Sequence, residues 1–219
     1  MNADRRRRDI HRRFTAQFGD NSIIRGALFR GESWQNRPVD QNTPVSEAPN
    51  QPTDSGIVIR PVTPEDYDDV RRITRDAYIE AGYFDDDTHP YVVVLSDIEH
   101  RAQHAQVWVA ERDGAVVGSV AITFAGQRYT DIAVEGELEF RMLAVDPAVQ
   151  RGGIGRAMVE RIIEHARTLP GIEAVSLTSG SDMLRAHQLY LSMGFHRVPE
   201  RDWWVPNEDI LLWVFRREL

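Results

Sequence analysis

The sequence predicts one α/β or α+β domain with a mixed β-sheet over residues 57–219. Short apolar segments that favour strands alternate with longer segments whose apolar residues recur every three or four positions, as on one helix face. Their order is β-α-α-β-β-β-α-β-α-β-β, which indicates a sheet combined with helices. The chain has 219 residues and is 42% hydrophobic, which is enough to build one sizeable core.

Residues 1–56 differ in composition and are expected to form an N-terminal extension outside the domain. Residues 35–56 are rich in Pro, Gln, Asn, Ser and Thr, as in linkers and disordered tails. Upstream, Ile10, Phe14 and Phe18 recur at i+4 among arginines. One hypothesis is therefore a short basic helix that docks to a partner or an anionic surface. The other, which we favour, is a dispensable extension.

Composition also excludes several classes of chemistry. The net charge of −8 argues against bulk attraction to nucleic acid or to anionic membranes. The chain has no cysteine and no lysine, which excludes disulfides, thiolate metal sites, acyl-cysteine intermediates and Schiff bases. No apolar run approaches the ~18 residues that span a membrane, and no apolar stretch follows Arg5 to Arg8 as in a signal peptide. Cytoplasm is the expected compartment.

The first elements follow from local signals. A strand over 57–62 is followed by a helix that begins after Thr63, with Pro64 at its first position, and ends near Gly82. After a loop at 83–90, Val94 and Ile98 mark a second helix. Strands at 106–110 and 116–124 flank the hairpin signal Arg-Asp-Gly-Ala.

The next segment, Glu137 to Arg156, predicts a strand, a turn and the glycine-rich start of a helix. Asp146-Pro147 ends the strand because proline lacks the backbone donor that a sheet needs. The first backbone N–H groups of a helix have no partners and carry partial positive charge, so this turn is predicted to bind a phosphate, and a pyrophosphate in particular. Arg151 and Arg156 flank it.

Two well-known phosphate-binding motifs can be compared with the glycine-rich turn at residues 150–156. A Walker loop requires a lysine, which the chain lacks. A dinucleotide-binding fingerprint needs a small residue where Met158 stands, although a strand with Glu173 does follow. A dinucleotide-dependent oxidoreductase is therefore a weaker alternative.

The segment Gln150-Arg-Gly-Gly-Ile-Gly155, preceded by Leu143-Ala-Val-Asp-Pro147, resembles the acetyl-CoA-binding motif of the GNAT superfamily of N-acetyltransferases. The order of elements over 57–219 is similar to that family as well. The resemblance implies a mixed, mostly antiparallel central sheet with helices on both faces, splayed near the central strand 137–145. It also implies acetyl-CoA as cosubstrate, and no metal. The cofactor-binding residues that it implies are Leu143, Ala144, Val145, Gln150, Arg151, Gly152, Gly153, Ile154, Gly155 and Arg156.

Glu139 is the candidate catalytic base. With Glu135, Glu137 and Arg141 it alternates along one strand, which places all four on one face, and it occupies the position of the catalytic glutamate in family members that have one. The alternative is a solvated strand face on which Glu139 pairs with an arginine.

Tyr190 is the candidate acid. It lies in a helix over 181–193, and Ala186 to Phe195 resembles the family pattern Ala-x-x-x-Tyr-x-x-x-Gly-Phe. A phenol there can donate a hydrogen bond to the departing thiolate. Met183 stands where many members carry an asparagine that contacts the cofactor.

Other polar and aromatic residues have simpler explanations. His100 and His104 have i, i+4 spacing but no third metal ligand is evident. His187 and His196 are expected at the surface. Three tryptophans are expected to pack the core or to cover the acceptor site, namely Trp203, Trp204 and Trp213.

The resemblance thus implies an acyltransferase that moves an acetyl group from acetyl-CoA to a primary amine by direct attack in a ternary complex. A non-catalytic acyl-CoA sensor of the same fold is the main alternative. Acidic residues of the loop at 83–90 and of 201–209 suit a cationic acceptor. The alternative is that these residues simply belong to a solvated loop. A small molecule and a peptide both remain open as acceptors, and so do a monomer and a homodimer.

Overall fold

A computed structural model describes residues 51–52, 56–82, 90–205 and 210–219. The described residues form two compact units, a larger one with residues 51–52, 56–82, 90–177 and 216–219 and a smaller one with residues 178–205 and 210–215. The amphipathic segment hypothesised around Phe14, most of the N-terminal extension and the acidic loop after Gly82 lie outside the described residues.

The described strands and helices follow the predicted order closely. The strands are β1 (Gln51–Pro52), β2 (Ile57–Pro61), β3 (Gln106–Arg112), β4 (Ala115–Phe124), β5 (Glu137–Val145), β6 (Ala174–Gly180), β7 (His196–Arg197), β8 (Trp203–Trp204) and β9 (Leu211–Glu218). The helices are α1 (Tyr67–Glu80), α2 (Pro90–Ser96), α3 (Ile98–His104), α4 (Ile154–Thr168) and α5 (Leu184–Ser192).

The sheet of the larger unit is mixed and mostly antiparallel, as predicted. Strands β1 to β5 pair in sequence order, each antiparallel to the next. β5 then pairs in parallel with β6, and this ladder contains three residue pairs, the last of them Glu139 with Ser176. β9 lies next to β6, as shown by the hydrogen bond from the Leu219 N–H to the Glu173 carbonyl.

Helices cover both faces of this sheet. Val107 and Val109 on β3 share a buried cluster with Val70 and Ile73 of α1 and with Ile98 of α3. The residue between the two valines, Trp108, points to the opposite face, because side chains alternate along a strand. There its ring meets that of His165 on α4, with centroids 5.0 Å apart.

The starts of the first helices show how local chemistry sets their bounds. A 3₁₀ turn over Pro64–Asp66 precedes α1, and the Asp66 carboxylate accepts hydrogen bonds from the Thr63 N–H at 2.7 Å and from Arg60. The predicted second helix is in fact two helices. Asp97 interrupts it and caps α3 by accepting a hydrogen bond from the His100 N–H at 3.1 Å.

The smaller unit contains the end of β6, α5, β7, β8 and most of β9. β8 pairs antiparallel with β9, and the Val198 N–H bonds to the Val214 carbonyl beside β7. Buried aromatic rings hold α5 in place. Tyr190 lies between Phe195 and Phe215, with ring centroids 6.0 and 5.8 Å away.

Candidate active site

β5 carries a bulge in its pairing with β4. Ser119 pairs with Ala144, and Ala121 pairs with Arg141. Two residues of β5, Met142 and Leu143, therefore stand opposite one residue of β4. Met142 has a positive φ of 53°, a left-handed conformation that one class of bulge uses and that non-glycine residues seldom adopt. Of the predicted cofactor-binding residues, Leu143 lies in this bulge, and Ala144 and Val145 follow it directly.

The turn after β5 exposes its backbone. Asp146 begins a 3₁₀ turn over Pro147–Val149, and its Oδ1 accepts a hydrogen bond from the Ala148 N–H. The next residues, Gln150 to Gly153, are all exposed. Arg151 has a φ of 70° and Gly153 a φ of 78°, so the chain passes through two left-handed residues before α4 begins.

The start of α4 has no side-chain cap. Gly153 is its N-cap and offers no side chain that could accept a hydrogen bond, and the helix's own bonding begins with the Ala157 N–H to the Gly153 carbonyl. The amides of residues 154–156 therefore face the N-terminal end, where anions bind favourably. Ile154 contributes only its amide, because its side chain is buried.

Two close approaches shape this turn. Arg112, at the end of β3, donates a hydrogen bond of 2.7 Å from Nη2 to the Gly152 carbonyl. A Cβ atom on Gly152 would lie 2.7 Å from the Arg112 Nη1, so a larger residue would displace the guanidinium. On β4, a Cβ on Gly118 would meet Met158 Sδ and the Ala144 carbonyl at 3.1 Å. Gly118 therefore lets α4 approach the sheet.

Glu139 is fully buried on β5, so the solvated face of the predicted alternative is wrong, whereas the pairing of Glu139 with an arginine is present at Arg141. Its Oε2 accepts three backbone hydrogen bonds of 2.9 to 3.1 Å from residues 131–133. Among the described residues its Oε1 has no hydrogen-bond partner, and the nearest cation is Arg141, with Nε at 3.8 Å. Burial raises the pKa of Glu139 above its ordinary value, while Arg141 and the backbone amides act in the opposite sense.

The neighbours of Glu139 have structural partners. Arg141 forms a buried ion pair with Asp131 and donates a 2.5 Å hydrogen bond from Nη1 to the Tyr129 carbonyl. Glu137 is also buried, and its Oε1 lies 2.8 Å from the Arg216 Nε. Glu135 lies in the exposed turn before β5. Of the two buried glutamates, Glu139 is thus the one with a carboxylate oxygen that lacks a hydrogen bond in the described part of the chain.

Arg101 on α3 is a buried cation that sequence reasoning missed. Its side chain is 2% exposed, and its Nη1 lies 3.0 Å from the thioether sulfur of Met142, the bulge residue. Nε and Nη2 have no hydrogen-bond partner among the residues that the structure describes. Burial lowers the pKa of this guanidinium, while the acidic groups of Tyr129, Tyr78, Tyr91 and Asp97 act in the opposite sense.

The remaining predicted residue, Tyr190, lies in the smaller unit and is 6% exposed. Met183, which replaces the family's asparagine, precedes α5 and makes no side-chain cap. His187 is buried rather than at the surface: its Nε2 donates a 2.9 Å hydrogen bond to the Gly180 carbonyl and its ring stacks on Trp213. Burial lowers its pKa, which favours the neutral ring. Trp204 is 58% exposed.

His100 and His104 lie side by side on α3, with ring centroids 4.3 Å apart. His100 Nδ1 lies 2.7 Å from the Tyr129 hydroxyl, and His104 Nδ1 lies 2.8 Å from the His100 carbonyl. In the part of the chain covered by the structure, no group of three His, Asp or Glu side chains could hold a metal ion. No helix there is long and apolar enough to cross a bilayer.

Comparison with known proteins agrees with this geometry. A family model described as acetyltransferase (GNAT) family matches residues 67–195. The mycothiol acetyltransferase of Cellulomonas flavigena is 30% identical over 79% of this chain and 49% of its own length. The N-acetylaspartate synthetase of Danio rerio is 40% identical over 43% of this chain and 31% of its own. The chain thus spans about half or less of the length of these curated relatives.

Among solved structures, a GNAT family acetyltransferase from Elizabethkingia anophelis with acetyl-CoA bound has a similar fold. It matches with a TM-score of 0.51 and 16% sequence identity, covering 76% of this chain and 100% of that one. At this identity the likeness concerns the fold alone.

Proposed function

Because the chain belongs to the acetyltransferase (GNAT) family, we propose that it transfers an acetyl group from acetyl-CoA to a primary amine by direct attack in a ternary complex. One observation carries this proposal above the others. A bulged strand leads within a few residues into an exposed turn whose N-cap, Gly153, leaves the first amides of α4 uncapped. That arrangement suits a ligand with an extended arm and a diphosphate.

The cosubstrate would be held mainly by backbone groups. The amides from Gly152 to Arg156 would bind the diphosphate, and Arg151 adds positive charge. The backbone of Leu143 to Val145 would hold the arm that carries the thioester, and an N–H near Leu143 would stabilise the developing oxyanion. The thioester of bound acetyl-CoA supplies the activated acyl group.

Glu139 is the proposed base. Its Oε1, which accepts no hydrogen bond from the described residues, would accept the proton of the amine, directly or through a water molecule. The three amides on Oε2 keep the carboxylate in place, and the raised pKa makes it a stronger base than an exposed glutamate. Tyr190 is the proposed hydrogen-bond donor to the departing thiolate, a role that the resemblance to the family implies. No step requires a metal.

The names of relatives support an amine as acceptor, since one of them is an N-acetylaspartate synthetase. A small molecule and a peptide both fit this proposal, and we keep cytoplasm as the expected compartment. The dinucleotide-dependent oxidoreductase is disfavoured, although β5, α4 and β6 form a parallel βαβ unit, because Met158 occupies the position of the third small residue of its fingerprint and the chain belongs to the acetyltransferase (GNAT) family. The competing function is an acyl-CoA sensor without turnover.

A panel of amines tests the proposal against the sensor. The full chain is incubated with acetyl-CoA and each amine, and release of the CoA thiol is recorded with the mass of the product. We expect acetylation of at least one amine, and a loss of about 10²-fold in kcat for Glu139→Gln with acetyl-CoA affinity unchanged. Tyr190→Phe is expected to lower kcat in the same way. Binding of acetyl-CoA without acetylation of any amine would favour the sensor, and unchanged rates in both variants would refute the catalytic roles.

A further inference from the structure

Arg101 is a charged side chain enclosed by the protein with most of its hydrogen-bonding capacity unused. A guanidinium has five N–H donors, and its Nη1 meets only the Met142 sulfur, a weak acceptor. Leaving a buried charge without a counterion is costly unless something else compensates it. The two nitrogens that lack partners within the described residues, Nε and Nη2, form one edge of the planar group. That edge matches the two oxygens of a carboxylate.

Acidic side chains of this part of the larger unit already have other partners. Asp131 pairs with Arg141. Glu139 accepts three backbone hydrogen bonds and lies 3.8 Å from Arg141. Asp97, the residue before α3, raises the pKa of Arg101 through its charge, but its carboxylate caps the N-terminus of α3. Across the described ranges, no ion pair joins a carboxylate to Arg101.

Arg101 belongs to the neighbourhood of the proposed chemistry. Its contact residue, Met142, is the left-handed residue of the bulge, next to the strand segment proposed to hold the thioester arm. His100, the residue before Arg101, has its Nδ1 2.7 Å from the Tyr129 hydroxyl, and the Tyr129 carbonyl accepts a hydrogen bond from Arg141. Arg141 in turn lies beside Glu139. An anion on the free edge of Arg101 would therefore lie in the same site as the proposed base.

We propose that Arg101 binds a carboxylate of the acceptor, so that the amine to be acetylated belongs to an amino acid or another amino-carboxylate. This inference rests on the proposed function and narrows it. It replaces the expectation of a purely cationic acceptor, which rested on acidic residues that lie largely outside the described residues. A single guanidinium compensates one negative charge, which favours a carboxylate over a phosphate dianion.

Matched ligands and variants test this assignment. The full chain is offered alanine, aspartate, glutamate and phenylalanine, each beside its carboxamide and its decarboxylated amine, with phosphoethanolamine as the phosphate probe. We expect at least one amino acid to exceed the two counterparts that lack its α-carboxylate by about 30-fold or more in kcat/KM, the range typical of a buried charge pair. Arg101→Met should abolish that preference, and Arg101→Lys should retain part of it. Arg167→Met, at an exposed position late in α4, is the matched control and should leave it intact.

Binding measurements separate this inference from the proposed function. The affinity of acetyl-CoA, and of the same amino acids in the presence and absence of CoA, is measured by calorimetry for the natural chain and for Arg101→Met. If acetyl-CoA binds and amines are acetylated regardless of a carboxylate, the function stands and the role of Arg101 is refuted. If no amine is acetylated, the proposed acetyl transfer is refuted. The role of Arg101 in carboxylate binding is then supported only if an amino acid binds the natural chain more tightly than it binds Arg101→Met. A preference for phosphoethanolamine, or no binding of any carboxylate, refutes the inference in either case.

Discussion

Arg72 on α1 and Asp146 at the end of β5 form an ion pair in which Nη1 lies 2.8 Å from Oδ2. The other oxygen of Asp146 accepts the Ala148 N–H, so one carboxylate holds both the helix and the turn. The backbone N–H of Asp146 in turn bonds to the Val117 carbonyl of β4. Asp146 therefore fixes the place from which the chain enters the exposed glycine turn.

A double-mutant cycle tests how much this pair contributes. Asp146 is largely buried while Arg72 is 42% exposed, so we expect a coupling of about 0.5 to 1 kcal/mol between Arg72→Met and Asp146→Asn. Chemical denaturation of the four proteins gives this value. Asp146→Ala also removes the cap on Ala148 and should weaken acetyl-CoA binding more than Asp146→Asn does. Equal affinities in the two Asp146 variants would show that the turn does not depend on this carboxylate.

Gly153 allows a separate test of the proposed diphosphate site. It has a φ of 78° and a Cβ placed on it would meet nothing within 4 Å, so Gly153→Ala adds backbone strain without a clash. We expect a loss of about 1 kcal/mol in the free energy of unfolding and a clear rise in the Kd of acetyl-CoA. Gly171→Ala is the matched control, because Gly171 has a φ of 77° and equal space around it but lies after α4.

The control should lose similar stability and keep its affinity for acetyl-CoA. If Gly153→Ala and Gly171→Ala bind acetyl-CoA equally well, the turn at residues 150–153 is not the diphosphate site. The two variants thus separate a general cost of the left-handed conformation from a local effect on the ligand.

The framework was predictable because its signals are local. The hairpin before Ala115, the proline that ends β5 and the glycines before α4 each set a boundary through backbone geometry, and the structure has each where the sequence indicated. The break at Asp97 was not predicted, because apolar spacing continued through it. A carboxylate that caps the following turn competes with helix continuation, and the spacing of apolar residues carries no sign of that competition.

The site was less predictable because it depends on burial from several elements. Glu139 and Arg141 alternate as expected, but alternation cannot tell a solvated face from one enclosed by the loop at residues 125–136. Arg101 gave no signal at all, since an arginine in a short polar helix is normally exposed. A left-handed methionine such as Met142 is equally hidden, because most methionines occupy ordinary backbone conformations. Long-range packing determines each of these features.

The pH dependence of catalysis should report the environment of Glu139. Burial raises its pKa above the ordinary 4.5, and a base must be deprotonated to act. We therefore expect kcat/KM to fall as the pH falls through this raised pKa, and to level off above it. In Glu139→Gln the residual rate should lack this acidic limb. The same limb in both proteins would assign the ionisation to another group.

The contribution of Glu139 to the free energy of unfolding should change with pH in the opposite sense to kcat/KM, increasing as the pH falls. A carboxyl group whose pKa is raised by folding binds its proton more tightly in the folded state, so its contribution is full below the unfolded pKa and is lost as the pH rises through the folded one. The free energy of unfolding of the natural chain, minus that of Glu139→Gln, should therefore increase as the pH is lowered. Denaturation of both proteins over the same pH series cancels the other titrating groups. A difference that shrinks on acidification would mean that the three amides and Arg141 outweigh burial.

The stability of the ligand-free protein gives a last test of Arg101. If Arg101 stabilised the fold, its removal would lower the free energy of unfolding, as the removal of a large buried side chain usually does. Arg101 instead brings a buried charge whose Nε and Nη2 have no partner in the described part of the chain. Replacing such a charge with an apolar side chain of similar length is expected to stabilise the protein. Arg101→Met should therefore raise the unfolding free energy by about 1 kcal/mol or more, a rise in Tm of about 2 to 4 °C for each kcal/mol.

Arg167→Met, which removes an exposed charge, is the control and should change the unfolding free energy by less than about 0.5 kcal/mol. Thermal unfolding of the three proteins without ligand measures this, and an added amino-carboxylate should narrow the gap by stabilising only the proteins that keep Arg101. A loss of stability above about 2 kcal/mol in Arg101→Met would instead indicate that the residue supports the fold.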